Sequence, residues 1–125
     1  MPDCRRGDIW LVDLKPQGAA EEPGKERPCL IVQDSKICAV KAHGTIIVIP
    51  ISSERDDPGK GETDIRVPVG EFSKGAEEKP EQGYALVDCV RSVSKKRFKK
   101  GPLHACPVAA MKKIETVLRF FLGLR

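Results

Sequence analysis

Residues 24–32 read Gly-Lys-Glu-Arg-Pro-Cys-Leu-Ile-Val, and they pass from a charged turn directly into an apolar strand. Pro28 restricts the preceding Arg27 to extended backbone, and proline is tolerated at the first position of a strand. The pattern therefore predicts a strand that holds the Arg27 guanidinium at its start, beside a loop. Because a guanidinium can give two parallel hydrogen bonds to a phosphate, Arg27 is a candidate anion-binding residue.

Short apolar runs alternate with polar loops along most of the chain. The strongest strand signal is Thr45-Ile46-Ile47-Val48-Ile49-Pro50-Ile51, which is almost entirely β-branched, and Pro50 predicts a bulge or an edge near its end. Further strands are predicted within 6–14, 29–33, 64–69 and 84–93, with irregular segments or loops at 35–43 and 70–82. Five or six short strands of this kind favour a small barrel or sandwich.

The last part of the chain has the period of an amphipathic helix. Apolar residues recur every three or four positions, at Met111, Ile114, Val117, Leu118, Phe121 and Leu122. Pro107 suits the first turn of this helix and Gly123 suits its end. Ser94 is also predicted to cap a short helical turn over 95–98.

Length and composition limit the classes of protein that the chain can be. Its 125 residues predict a single domain over 1–125, and a net charge of +4 allows an anionic partner without requiring one. Five irregularly spaced cysteines and no secretory signal predict reduced thiols in the cytoplasm. No apolar run approaches the roughly 20 residues of a membrane helix, so we expect no membrane partner.

Four segments together carry a resemblance to a known family. They are Arg5–Leu14, Gly24–Val32, Ile47–Ser53 and Ala85–Val93, followed by the closing helix. In this order they resemble the MazF/PemK family of toxin endoribonucleases. The resemblance implies a mainly β fold, an SH3-like β-barrel of the MazF/Kid/CcdB type with a C-terminal α-helix and short helical turns, working as a two-fold homodimer.

The resemblance also implies an activity and a partner. The activity is sequence-selective, metal-independent cleavage of single-stranded RNA, as in mRNA interferases, and the partner is a cognate antitoxin that inhibits it. Where positions of this sequence match the family motif, the resemblance implies that Arg27 is catalytic, with Ser52 and Glu22 as its partners. Asp88 and Arg91 fall where some members bind or cleave RNA, and the adjacent Lys25 and Ser53 are candidate RNA-binding residues.

The chemistry is reasonable for these residue types. RNA carries its own nucleophile, the 2′-hydroxyl, so cleavage needs proton transfer and stabilisation of the phosphorane but no cofactor or metal. The expected products carry 2′,3′-cyclic phosphate and 5′-hydroxyl ends. Arg27 would stabilise charge on the phosphate, Ser52 would add a hydrogen bond, and Glu22 would be the base.

Other residue patterns leave alternatives open. Five cations in six positions over 95–100, including Lys95 and Lys96, fit either a phosphate-binding surface or a solvated turn. His104 and Cys106 lack the paired spacing of a zinc site, but residue types alone also allow a nucleophilic pair of Cys89 and His104.

Two other functions fit the same barrel. One is a non-enzymatic poison of DNA gyrase, a class marked by contacts from the end of its C-terminal helix. The other is an RNA-binding module without catalytic activity. The Arg-Pro pair with a downstream hydroxyl favours the nuclease.

Overall fold

The computed structural model describes residues 4–15, 25–54 and 66–124, and in these residues a curled antiparallel sheet is covered by a C-terminal helix. The strands are β1 (Asp8–Asp13), β2 (Glu26–Ile31), β3 (Thr45–Ser52), β4 (Arg66–Phe72), β5 (Glu81–Leu86), β6 (Arg91–Ser94) and β7 (Phe98–Ala105). The helices are α1 (Ser35–Cys38) and α2 (Val108–Leu122). The predicted mainly β fold with a C-terminal helix is confirmed.

Strand β3 lies at the centre of the sheet. The order of strands is β4-β5-β3-β2-β1-β7, and β6 also pairs with β3. Along one side β3 pairs with β6 as far as Val48, and from Ile51 onward it pairs with β5. Pro50 lies between these two pairings, so a residue without an N–H stands where the strand changes partner. The strand does not end at this proline.

Both faces of the sheet are buried, which explains the apolar runs. Alternate residues of a strand point to opposite faces. One cluster packs under α2 and includes Ile9, Leu30, Ile49 and Ile114. The second cluster lies on the other face, with its buried residues Trp10, Val12, Leu14, Cys29, Ile31, Cys38, Ile46, Val48 and Val93.

Charged residues fasten the ends of the elements. Arg6 donates from Nη1 to the carbonyl of Val32, and its Nη2 lies 2.8 Å from Glu115 Oε1 of α2.

Gly123 ends α2 in the left-handed conformation (φ +67°), as the sequence predicts. The Ser94 side chain accepts a hydrogen bond from Lys96 N, which caps a 3₁₀ turn over Lys95–Arg97 and confirms the predicted basic turn.

Two segments differ from the sequence-based expectations. No strand was predicted over 98–105, but these residues form β7 and pair with β1. The predicted loop 70–82 is shorter, since β4 runs to Phe72 and β5 starts at Glu81. The sequence predicts a strand at 84–87 that 89–93 either extends or restarts. The structure has two strands there, separated by a 3₁₀ turn at Val87–Cys89. None of the described helices has the length and apolar character that crossing a bilayer needs.

Burial controls the ionisation of three thiols. It raises the pKa of Cys29 and of Cys4 to about 12 and that of Cys106 to about 11. At Cys29 the positive charges of Arg27 and Arg91 oppose this shift without cancelling it. These thiols therefore stay protonated in the folded chain at neutral pH.

The raised thiol pKa values predict a loss of stability in alkali. The folded chain holds these protons more tightly than the unfolded chain, so the contribution is complete below the ordinary thiol pKa of 9.0 and is lost as the pH rises towards about 12. We expect the free energy of urea unfolding to fall between about pH 8 and about pH 11, and to fall less in Cys29→Ala. An identical pH dependence in both proteins would show that Cys29 makes no such contribution.

The space around Gly83 gives a second prediction. A Cβ atom built there would lie 2.7 Å from Ile51 Cγ2 and 2.8 Å from Phe72 Cε1, both in the packed cluster under α2. We expect Gly83→Ala to lower the free energy of unfolding by about 1–3 kcal/mol, the usual cost of overpacking. Gly75→Ala is the matched control, because a Cβ there meets nothing within 4 Å. Urea denaturation measures both, and equal stability of the two variants would contradict this account.

Candidate active site

Arg27 is the second residue of β2, and the sheet register places it opposite the end of β3. Cys29 pairs with Pro50, so the antiparallel register continued by two positions sets Arg27 against Ser52. Arg27 Nη1 donates to the carbonyl oxygen of Ile51 at 3.4 Å, a long and therefore weak hydrogen bond. The side chain is half-buried, and the structure thus brings the two predicted catalytic residues together at one edge of the sheet.

The Arg27 guanidinium keeps capacity for further hydrogen bonds. Its Nε is buried and has no hydrogen-bond partner among the described residues. The bond to Ile51 involves only one of the five N–H donors of the group. A cation held this way, with donors to spare, is suited to receive an anionic ligand.

Ser52 follows Ile51, the residue whose carbonyl accepts from Arg27. It is half-buried, and its Oγ accepts a hydrogen bond from Glu54 N at 3.1 Å. Because that contact uses a lone pair, the hydroxyl hydrogen remains able to donate to a ligand. Ser53, the next residue, is exposed.

A cleft of about 360 Å³ opens beside these residues. Pro28, Ser52 and Ser53 form one side, and the ends of β4 and β5 with the turn between them form the other. This volume lies in the range of small-molecule binding sites. The second side was missed by the sequence analysis, since residues 70–82 were interpreted as loop. The alternation of Val67 and Val69 does not extend to Phe72, because the β4–β5 register shifts between Pro68 and Gly70. The sequence pattern therefore gave no signal for the end of β4.

Arg91 also lies in this neighbourhood. It is the first residue of β6, opposite Val48, and is half-buried. Its positive charge and that of Arg27 both oppose the rise that burial causes in the pKa of Cys29. Asp88 is exposed on the preceding 3₁₀ turn, where its Oδ1 accepts from the Cys89 thiol at 3.7 Å.

The loop between β1 and β2 is fastened at its base. Lys25 is exposed and adopts a positive φ of 58°, and its carbonyl accepts from Leu14 N at 2.7 Å. Arg97 donates from Nη1 to the carbonyls of Asp13, at 3.2 Å, and of Lys15. Glu22, the predicted base, lies outside the described residues.

Lys95 and Lys96 are not gathered with the other candidates. Lys95 Nζ donates to the carbonyls of Cys38 and Val40 at 3.1 and 3.0 Å, and its backbone N donates to Gly44 just before β3. Ser52 ends that strand, roughly 23 Å further along at the usual rise per residue. Lys95 therefore fastens the opposite end of β3, and Lys96 is exposed on the same turn.

The alternative chemistries gain no support from these contacts. His104 Nε2 lies 2.9 Å from the carbonyl oxygen of Val69, and its ring stacks on Phe72. The Cys89 thiol is directed to Asp88 instead. Within the described ranges no three His, Cys, Asp or Glu side chains are grouped as metal ligands.

Known proteins share both the sequence pattern and the fold. Residues 5–122 match the family model described as the PemK-like, MazF-like toxin of type II toxin–antitoxin systems. A crystal structure of MazF from Deinococcus radiodurans superposes with a TM-score of 0.74 at 20% identity, covering 98% of each chain. An endoribonuclease in complex with its cognate antitoxin, from a mycobacterial species, gives a TM-score of 0.68 at 22% identity, covering 100% of this chain and 98% of that one.

A third structure extends the same comparison. Mycobacterium tuberculosis toxin MazF-mt6 gives a TM-score of 0.66 at 13% identity and covers 94% of this chain and 98% of its own. At these identities the superpositions establish the fold, and the family model establishes the relationship. The chain belongs to the PemK-like, MazF-like family of toxins of type II toxin–antitoxin systems.

Proposed function

We propose that this toxin is an endoribonuclease that cleaves single-stranded RNA in a sequence-selective and metal-independent manner at the Arg27–Ser52 edge of the sheet. The observation that carries the proposal is the half-buried Arg27 guanidinium, which donates to the carbonyl oxygen of Ile51. The next residue, Ser52, lines an open cleft. Two superposable structures from mycobacterial species, one with and one without a cognate antitoxin, are each described as an endoribonuclease.

The proposed reaction uses the 2′-hydroxyl of the substrate as nucleophile. Its oxygen attacks the adjacent phosphorus as it loses its proton, and the bond to the 5′-oxygen breaks. The leaving 5′-oxygen takes up a proton from water, so the products carry a 2′,3′-cyclic phosphate and a 5′-hydroxyl. Arg27 donates to the phosphate oxygens and stabilises their developing charge, and Ser52 donates a neutral hydrogen bond. Glu22, beyond the described residues, is proposed as the base that removes the 2′ proton.

The remaining candidates are proposed to hold the strand of RNA. Arg91 supplies a second positive charge near Arg27, and Lys25 and Ser53 are exposed beside the site. Asp88 is proposed to accept hydrogen bonds from bases. Lys95 and Lys96 would contact only a distant part of the RNA, because they lie at the other end of β3.

Substitution of Arg27 tests the proposal. We expect Arg27→Ala to reduce cleavage of a long single-stranded RNA in EDTA by about 10²–10³, the usual effect of losing one transition-state donor. Arg27→Lys keeps the charge but loses the two-donor geometry, so we expect a large loss there too. Ser52→Ala removes a neutral hydrogen bond, for which about a tenfold loss is expected.

The matched control is Arg5→Ala, which removes an exposed arginine at the opposite end of the β1–β2 pair. It should cleave at the wild-type rate and leave 2′,3′-cyclic phosphate ends. Intact RNA with stalled gyrase would favour a gyrase poison, and intact RNA that stays bound would favour a binding module. Cleavage by folded Arg27→Ala at the wild-type rate would refute the assigned mechanism.

We further propose that the toxin acts as a homodimer and is inhibited by a cognate antitoxin. Large apolar side chains are exposed at the end of α2, with Phe120 73%, Leu122 55% and Leu124 61% accessible. Such a cluster on one helix end suits a protein interface. The antitoxin proposal rests on family membership and on the complex of the mycobacterial endoribonuclease with its own antitoxin.

Placing a charge in this apolar cluster tests the dimer. We expect Phe120→Glu to shift the chain from dimer to monomer in light scattering, because a carboxylate would be buried in the interface. Phe120 is exposed in the single chain, so the fold should persist. Lys112→Glu, an exposed position on the same helix, should remain dimeric. A monomeric wild type would contradict the proposal.

A further inference from the structure

The cleft beside Ser52 has an apolar wall that the catalytic proposal does not use. Ile51, Phe72 and Gly83 form it, and the charged side chains at its rim, including Lys74 and Lys79, are exposed. Because Gly83 has no side chain, Ile51 and Phe72 both pack closely over its backbone. The apolar surface that they form lines the same cleft as Ser52.

This wall is held rigidly from behind. One face of Phe72 stacks on His104, with ring centroids 5.3 Å apart and planes inclined by 11°. The His104 Nε2 atom in turn lies 2.9 Å from the carbonyl oxygen of Val69. A Cβ at Gly70 would lie 2.8 Å from the same Nε2 atom, so position 70 also has no room for a side chain.

Gln82 lines the same cleft, and its amide has a defined orientation. Its Oε1 accepts a hydrogen bond from Gly70 N at 2.7 Å, where the β4–β5 register shifts between Pro68 and Gly70. A backbone N–H only donates, so the oxygen and not the nitrogen of the amide must face Gly70. The NH₂ group is therefore the part of Gln82 that remains for a ligand in the cleft.

We propose that this cleft binds the base of a nucleotide adjacent to the cleaved phosphate, and that Gln82 determines which base is accepted. The inference rests on the proposed nuclease function and deepens it. Two N–H donors against an apolar wall select a base with an exposed keto oxygen, uracil or guanine, over one with an amino group at that edge. Gln82 is thus a specificity-determining residue and takes no part in the bond-breaking step.

The test exchanges the donors for an acceptor without changing the shape of the side chain. In Gln82→Glu one carboxylate oxygen still accepts from Gly70 N, and the other replaces the NH₂ group. On a randomised single-stranded RNA, wild-type cut sites should be enriched in uracil and guanine at one position next to the cut. The variant should shift that position towards adenine and cytosine by about tenfold in base ratio.

A binding measurement separates this inference from the proposed catalysis. In the Arg27→Ala background, we expect tighter binding of oligouridylate than of oligoadenylate of equal length, and loss or reversal of this preference when Gln82→Glu is added. The control Lys41→Gln makes the same change of net charge in the exposed turn before β3, remote from the cleft, and should keep the wild-type preference. Gln82→Met, which has no donor and no charge, should lose the preference without reversing it.

The two proposals fail in different ways. If the wild type cleaves no RNA, the nuclease proposal is wrong. The preference for oligouridylate over oligoadenylate in the binding measurement then decides whether the cleft binds a base selectively. If the wild type cleaves while Gln82→Glu and Gln82→Met keep its base frequencies and its binding preference, the cleft does not select the base.

Discussion

The antiparallel register between β2 and β3 is the constraint on which the candidate site depends. Cys29 opposite Pro50 and Ile31 opposite Val48 set this register, and the buried side chains of both strands maintain it. A slip of one residue would turn every side chain of a strand to the other face. It would move Cys29 out of the second cluster to the face under α2, and it would separate Arg27 from Ser52. The packing of the second cluster therefore also fixes the distance between the proposed catalytic groups.

Much of the formal positive charge is used inside the fold. Lys95, Arg97 and Arg6 all donate to backbone carbonyls, where they fasten α1, the end of β1 and the end of β2. The sequence shows these residues only as cations, so a dense basic segment suggests a phosphate-binding surface. In the structure Lys95, the first lysine of this segment, donates to the carbonyls of Cys38 and Val40. The Nε of Arg27, by contrast, has no hydrogen-bond partner among the described residues and is available to a ligand.

The central strands and α2 could be predicted from the sequence, because their patterns are local. β-branched runs, an Arg-Pro boundary and a three- and four-residue apolar period each depend on adjacent positions. β7 could not be predicted, because Lys99, Lys100 and Pro102 interrupt its alternation and its pairing with β1 joins distant parts of the chain. The wall of the cleft was missed for the same reason, since Phe72 meets His104 only after β4 and β7 have been brought together. The Arg27–Ser52 pairing was anticipated from the family resemblance, and the register now gives it a physical basis.

Arg97 and Lys25 anchor the chain on either side of the segment 16–24. The Arg97 guanidinium donates to the carbonyls of Asp13 and Lys15, and the Lys25 carbonyl accepts from Leu14 N. No side chain inside that segment is needed for these two anchors. Apart from Glu22, the proposed base, residues of the segment can therefore vary between related toxins without loss of these anchors. Such variation would change the target preference while the attachment of the segment to the sheet is preserved.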